Sequence, residues 1–380
     1  MNKYDYIIIG AGASGLLLAN AMLNDSFFDQ KKVLLLDKEP KSINDRTWCF
    51  WEKGTGQFEE IIYKKWNSIH FQGKDVLNKT GIAPYSYKMI RSIDFYNHYL
   101  TKVKASTNIT FTQEAMLGFS ETEKEVTVKT AKNTYSGKYL FNSLFNYRMA
   151  TQQKKYPVLQ QHFVGWIIKA DNPIFNAEEV TYMDFSIPQK GNTRFMYVLP
   201  YSNDIALIEY TLFSEQLLPK EEYEEAIKDY ILKRFLCDTY EIIEKESGSI
   251  PMTAYDFRKH HTNRVRYIGT PGGWAKPSTG YTFMSTAKKI PKLLKFIKQG
   301  KPLKKLNLKG KFWFYDMLFL DVLYNDNANG HILFESIFKS LKPQKVFKFL
   351  DEKTNISEDL AYINSCPKAP FIKALLKRML

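Results

Sequence analysis

The residues best suited to chemistry stand at the start of the chain. Gly10-Ala11-Gly12-Ala13-Ser14-Gly15 follows an apolar run at 4–9 and leads into a helical run at 16–23. A second apolar run at 33–36 ends in Asp37, 22 residues beyond Gly15. Strand, glycine turn, helix, strand and acid is the order of a unit that cradles a dinucleotide. Gly10 permits the tight turn, Gly12 lets backbone approach a pyrophosphate, and Gly15 lets the helix pack close to the sheet. With Ser14 they open a helix whose free N–H groups and positive dipole end suit phosphates. Asp37 stands where a carboxylate accepts hydrogen bonds from a ribose. A glycine turn without a ligand is the competing reading. A second glycine-rich loop runs from Thr270 through Gly272, Gly273 and Gly280 and opens another helix, adding those four residues to the cofactor-binding candidates.

Elements that could position these groups follow from periodicity. Residues 105–140 show period-two runs that read as short antiparallel strands, and Tyr139-Leu140-Phe141-Asn142 returns to the core sheet. Residues 158–213 are strand-rich, with Pro200-Tyr201-Ser202-Asn203-Asp204 as a hairpin turn. A helix is expected over 221–236, a short buried strand at 265–269, and helices from about 300 onward. The resulting expectation is an α/β protein. A discontinuous Rossmann-like nucleotide domain (1–157 and 256–299) carries an inserted antiparallel β-sheet lobe (158–255) that would bind substrate. A helical C-terminal region (300–380) follows. The run Asp45-Arg46-Thr47-Trp48-Cys49-Phe50-Trp51 sits directly after the nucleotide unit. It reads either as a loop packed on the core or as an aromatic wall beside a cofactor, with Arg46 near an anionic group.

Composition excludes several classes. Hydrophobic residues make up 44% and charged residues 25% of 380, which rules out disordered, collagenous and disulfide-scaffold chains. Aromatics reach 15%, a hint of a large planar or apolar ligand or of an A/T-rich genome. The net charge is +14, and residues 288–311 alone hold ten lysines and no acid. Cys49, Cys237 and Cys366 are far apart and lack CxxC spacing, so a reducing cytosol is expected and a zinc site is not. Neither a signal peptide nor a spanning helix is expected. The lysine block carries Ile290, Leu293, Leu294, Phe296 and Ile297. A second stretch, 369–380, sets Phe371, Ile372, Leu375, Leu376 and Met379 among Lys373, Lys377 and Arg378. Both suit an anionic lipid surface, with a solvated lysine face on a packed helix as the plainer reading. Nucleic acid is the disfavoured partner.

Taken together, these motifs resemble the flavin-dependent lycopene β-cyclases, within the flavoproteins that include geranylgeranyl reductases and aromatic hydroxylases. The matching stretches, in order, are 10–15, 45–51, Gln161-His162-Phe163-Val164-Gly165-Trp166, Met183-Asp184-Phe185 and Tyr197-Val198-Leu199-Pro200. They continue with Ile208-Glu209-Tyr210-Thr211, Ile250-Pro251-Met252, 272–283 and Phe349-Leu350-Asp351. Two positions depart from the pattern. The family's Phe-Leu-Glu-Glu-Thr motif reads Leu207-Ile208-Glu209-Tyr210-Thr211 here, with one carboxylate instead of two. Gly269-Thr270 replaces the Gly-Asp of hydroxylase-type flavoproteins.

The resemblance implies bound FAD, active when reduced, with NAD(P)H as electron source, and a peripheral inner-membrane location in the cytoplasm. It implies redox-neutral closure of lycopene's linear ends to β-rings through γ-carotene. An acid protonates the terminal alkene, a tertiary cation closes the ring, and a proton leaves. Such an acid needs an apolar site that raises its pKa. Glu209 is the first candidate: period two sets it with Leu207 and Thr211 on one face, although an ordinary strand glutamate would look the same. Asp184 and His162 are weaker candidates. Trp48, Trp51, Trp166, Tyr197 and Phe283 are possible cation-stabilising walls. A reductase or monooxygenase of the same fold, and a non-catalytic flavoprotein docked on membrane or RNA, are the rival readings.

Overall fold

Apolar runs and glycine turns alternate along the chain, and the computed structural model, which describes residues 2–379, resolves them into regular elements. In order these are β1 (Asn2–Ile9), α1 (Ala13–Leu23), β2 (Val33–Asp37), β3 (Thr47–Lys53), β4 (Lys64–Trp66), β5 (Ser68–Gln72), β6 (Leu77–Gly81), β7 (Tyr85–Arg91) and α2 (Ser92–Ala105). Next come β8 (Ile109–Gln113), β9 (Met116–Glu121), β10 (Val126–Thr130), β11 (Thr134–Asn142), the single turn α3 (Arg148–Thr151), β12 (Val158–Ala170), β13 (Glu179–Asp184), β14 (Thr193–Pro200) and β15 (Ile205–Ser214). The remainder holds α4 (Lys220–Phe235), β16 (Tyr240–Thr253), β17 (Val265–Tyr267), α5 (Phe283–Lys298), α6 (Lys311–Asn325), α7 (Gly330–Ser340), α8 (Pro343–Leu350), α9 (Ile356–Ser365) and α10 (Lys368–Met379). They form two units. The first comprises Met1–Trp48, Arg91–Tyr156 and Thr253–Trp313; the second comprises Cys49–Ile90, Pro157–Met252 and Phe314–Leu380.

The first unit is built on a sheet in which β8, β2, β1, β11 and β17 run parallel. β10 and β9 extend it antiparallel from the first half of β11. Ile7, Ile8, Leu34 and Leu35 are wholly buried, as strands covered on both faces require. Each such side chain contributes about 1.5–3 kcal/mol. The period-two run at 109–112 was expected in an antiparallel set, but β8 pairs parallel with β2. As an outer strand of this sheet, β8 is buried fully only at Ile109. Its alternation therefore reports partial exposure rather than strand direction.

Helix α5 lies against α1. Its Ile290, Leu293, Leu294 and Ile297 are buried, while Lys292, Lys295 and Lys298 are exposed. Of the two readings of the 288–311 block, α5 takes the plainer one: its apolar face covers its own core and its lysines are solvated.

The second unit is built on a sheet ordered β16-β12-β15-β14-β13-β5-β6. Its neighbours are antiparallel from β12 through β13, and β5 joins β13 in parallel. Alternation splits β15 cleanly. Ala206, Ile208, Tyr210 and Leu212 pack with Tyr223, Ile227, Tyr230 and Ile231 of α4. Leu207, Glu209, Thr211 and Phe213 point to the opposite face. There α7 supplies Phe334, whose ring lies 6.0 Å from Phe213. The small sheet β3-β7-β4 also belongs to this unit, with Trp66 Nε1 donating to the Pro200 carbonyl at 3.1 Å.

The division differs from the expected boundaries in three ways, the first being that residues 300–313 belong to the first unit. Residues 49–90 join the unit of the large antiparallel sheet, because β5 and β6 complete that sheet. Residues 314–380 also join it and form no separate helical region, since α7 packs on β14. Among the described residues, no helix is long and apolar enough to cross a membrane.

Candidate active site

In the second unit two carboxylates meet over a glycine. Strand β12 lies between β15 and β16, so two strand spacings, about 10 Å, separate the outer backbones. Gly165 of β12 stands directly opposite Glu209 on the ladder. A methyl group on Gly165 would lie 3.2 Å from Glu246 Cγ, 3.5 Å from Glu209 Cβ and 2.9 Å from Leu207 Cδ1. The missing side chain is thus the space through which glutamates on non-adjacent strands share one patch. Tyr197 is the cross-strand neighbour on the other side of Glu209. Cys49 of β3 and Tyr201 of the β14–β15 turn complete the patch, and the charge of Glu246 acts on both.

The environment holds Glu209 protonated. It is half-buried, and Thr211 Oγ1 donates to its Oε1. Burial is the larger cause and the charge of Glu246 the second; together they raise the Glu209 carboxyl from 4.5 to about 8, against the Thr211 bond, which lowers it. The Cys49 thiol is pushed well up by burial, then by Glu246 and Glu209. A carboxylic acid that keeps its proton at neutral pH beside aromatic rings can protonate a weakly basic carbon.

The other sequence candidates are placed elsewhere. Asp184 is wholly buried; its ladder partner Met196 belongs to the α4 face, opposite to Glu209. Its two oxygens accept from the Tyr230 hydroxyl at 2.7 Å and the Ser186 amide at 2.9 Å. The structure therefore does not bring Asp184 to Glu209. His162 is 1% exposed and bridges the Tyr223 hydroxyl and Ser214 Oγ, each at 2.6 Å. Burial depresses its imidazole to about 4, as for a packed neutral histidine. Trp166 lies in the α4 core with Lys245 Nζ 4.6 Å above its ring. Trp51 stacks on Phe347 at 4.8 Å and donates to Asp351 at 3.2 Å, joining two of the matching motifs.

The glycine residues of the first unit form a cradle. Gly10 takes φ +93°, and a Cβ on Gly15 would strike the Gly10 carbonyl oxygen. A Cβ on Gly12 would meet nothing within 4 Å. No side chain caps the first turn of α1. Asp37 accepts from the Ala11 amide at 2.6 Å and the Glu39 amide at 2.8 Å, so it braces the glycine turn itself. The second loop comes to the same place: Gly269 abuts Ser14, whose Oγ lies 3.4 Å from Thr286 Oγ1 on α5. Thr270 opens a tight turn in which its carbonyl accepts from the Gly273 amide at 3.0 Å, and Gly272 packs against the Tyr267 carbonyl. Gly273 and Gly280 take φ +68° and +69°. Arg46 is exposed, with its amide held by Ser92 Oγ at 3.0 Å. Trp48 stacks on Phe283 at 5.0 Å, at the start of α5.

Glu246, Cys49 and Tyr201 escaped the sequence reading as active-site groups. For Glu246 a signal existed: period two puts Glu244 and Glu246 on one face of β16 and Lys245 on the other. What no pattern discloses is which face meets Glu209. Among the described residues, no group of three or more His, Cys, Asp or Glu is placed to hold a metal.

Several solved structures share this fold. A flavoprotein/dehydrogenase from Cytophaga hutchinsonii matches with a TM-score of 0.62 at 12% identity, over 99% of each chain. A geranylgeranyl bacteriochlorophyll reductase-like protein from Thermoplasma acidophilum matches at 0.59 and 11%, over 100% of each. A halogenase solved in complex with FAD matches at 0.58 and 11%, over 91% of this chain and 78% of that one. At such identities the likeness establishes the α/β, Rossmann-like flavoprotein fold. No curated protein sequence matches the chain. The family model described as lycopene cyclase protein matches residues 5–376, nearly the whole length, and the chain belongs to that family.

Proposed function

We propose that this chain is a lycopene β-cyclase that converts linear ends of lycopene to β-rings, first to γ-carotene and then to β-carotene. The observation that carries the reading is Glu209: a carboxyl retained in its acid form near neutrality, beside aromatic side chains, in a member of this family. In the proposed reaction the Glu209 O–H bond breaks and its proton joins the terminal alkene, whose π pair forms the new C–H bond. The tertiary cation accepts the π pair of a neighbouring double bond, closing the six-membered ring. Loss of a ring proton then restores a double bond, so no electrons are gained or lost. Tyr197, the cross-strand neighbour of Glu209, and Tyr201 are the aromatic side chains proposed to stabilise the cation. Asp184 is left out of the chemistry, with both carboxylate oxygens occupied on the far face.

The residues of the first unit fit FAD. Open space at Gly12, an uncapped α1 terminus and a brace at Asp37 suit a pyrophosphate and a ribose, and Thr270, Gly272, Gly273 and Gly280 shape the second loop. Reduced FAD, when bound, supplies negative charge that favours a carbocation; NAD(P)H is the proposed electron source. Arg46, an exposed residue, is the proposed contact for an anionic group. For membrane access we assign α10, where Ile372, Leu376 and Met379 are 56%, 54% and 75% exposed among Lys373 and Lys377. That basic, apolar face supports the proposed peripheral association with the inner membrane.

Expression in a lycopene-producing host tests the reading. Wild type should yield cyclic carotenes, and Glu209→Gln should bind FAD yet leave lycopene unchanged. Cyclisation at the wild-type rate by Glu209→Gln would remove Glu209 as the acid. The likeness to a reductase-like protein supports a second reading, isoprenoid reduction; saturated products with stoichiometric oxidation of reductant would favour it over cyclisation.

A further inference from the structure

We propose that Glu246 is a positioning residue for the proton donor: across the gap left by Gly165, its carboxylate keeps Glu209 in the acid form between turnovers. The inference rests on the reading of Glu209 as donor and supplies what the motif lacks. Where the family pattern has adjacent glutamates, this chain has Glu209-Tyr210. Tyr210 points to the α4 face, where its hydroxyl accepts from Arg194 at 2.9 Å. A second carboxylate at 210 would face away from Glu209 by strand alternation. Glu246 delivers one to the same face, from two strands away.

The register of β16 is held so that Glu246 faces the correct side. Lys245, its neighbour, is held on the opposite face by Glu224 of α4 at 2.8 Å and by the Trp166 ring. Ser249 Oγ donates to Gln160 Oε1 of β12 at 2.8 Å. A slip of one residue would move Glu246 to the α4 side and bring Lys245 to Glu209. Gly165 is the second requirement, since a side chain there would occupy the space that Glu246 Cγ lines.

Other titratable groups on this patch are Glu244 of β16, Cys49 of β3, Tyr87 of β7, Tyr197 of β14 and Tyr201. Glu246 is the charge among them that acts on Glu209. When Glu209 gives up its proton, the electron pair stays on its carboxylate beside a second one. Like charges so close share one proton more readily than they stay doubly ionised. Glu209 therefore recaptures a proton before the next alkene arrives.

The test is the pH profile of kcat/KM for FAD-loaded, reduced enzyme, paired with infrared titration of the Glu209 carboxyl taken as a difference against Glu209→Gln. In Glu246→Gln the alkaline limb and the carboxyl titration should both move down by about one pH unit, an approximately tenfold loss of the acid form above the limb. Glu246→Asp, which keeps the charge, should leave both within a few tenths of a pH unit. An unmoved limb and titration in Glu246→Gln, with Glu209→Gln inactive, would overturn this inference alone. Full turnover by Glu209→Gln would instead overturn the reading on which it rests, while the titration would still report the pair.

Discussion

Glu209→Gln should stabilise the folded chain in mild alkali and leave it nearly unchanged in mild acid. Glutamine keeps the size of glutamate and can still accept from Thr211, so the substitution removes little besides charge. Unfolded, Glu209 titrates at its ordinary 4.5; folded, it titrates at about 8. The folded state thus holds a proton that the unfolded state has released, and stability falls as pH rises through that interval. At about 1.4 kcal/mol per pH unit, the interval sets a ceiling of about 5 kcal/mol. Glu209 retains some water contact, which screens the cost, so about 2–3 kcal/mol is expected. Urea midpoints at pH 5 and pH 9, for flavin-free wild type and variant, read this directly. The variant should match wild type at pH 5 and exceed it at pH 9. An equal difference at both pH values, or a less stable variant at pH 9, would refute the argument.

Gly15→Ala drives a methyl group into the Gly10 carbonyl, at an expected cost of about 1–3 kcal/mol, and should abolish the flavin absorbance of the purified protein; full flavin content would contradict the cradle. Tyr230→Phe takes one buried donor from Asp184 and should cost about 1–3 kcal/mol of stability in denaturant while leaving the pH profile of turnover in place. A shifted alkaline limb in that variant would put Asp184 back into the chemistry. Leu376→Glu, at an exposed site on α10, should lower co-sedimentation with anionic vesicles several-fold without altering the thermal midpoint; unchanged vesicle binding would move the membrane surface elsewhere.

The nucleotide unit was readable because its determinants are local. The glycine spacing, the flanking apolar runs and Asp37 lie within 37 residues, and each is fixed by backbone sterics or by a turn. The face of Glu209 was readable for the same reason, since period two is a property of one strand. Glu246 was not, because its meeting with Glu209 depends on β12 inserting Gly165 between two strands that are remote in sequence. The placement of residues 49–90 was hidden likewise: β5 joins β13 across more than a hundred residues, and nothing in either strand names its partner. Asp184 was the weaker candidate beside Glu209, and nothing in the sequence disclosed its face. Only the bulge in β13, which shifts its register against β14, sets it on the α4 face. The apolar spacing of α5 was legible, but amphipathicity alone does not say whether protein or lipid covers the face.

Turnover of lycopene in deuterium oxide, with reduced FAD bound and reductant monitored, tests the central claim most directly. If a protonated side chain starts the reaction, each ring closed should carry one solvent-derived deuterium at the former terminal alkene, with no net oxidation of reductant. Rings without deuterium, or one reductant consumed per ring, would contradict it.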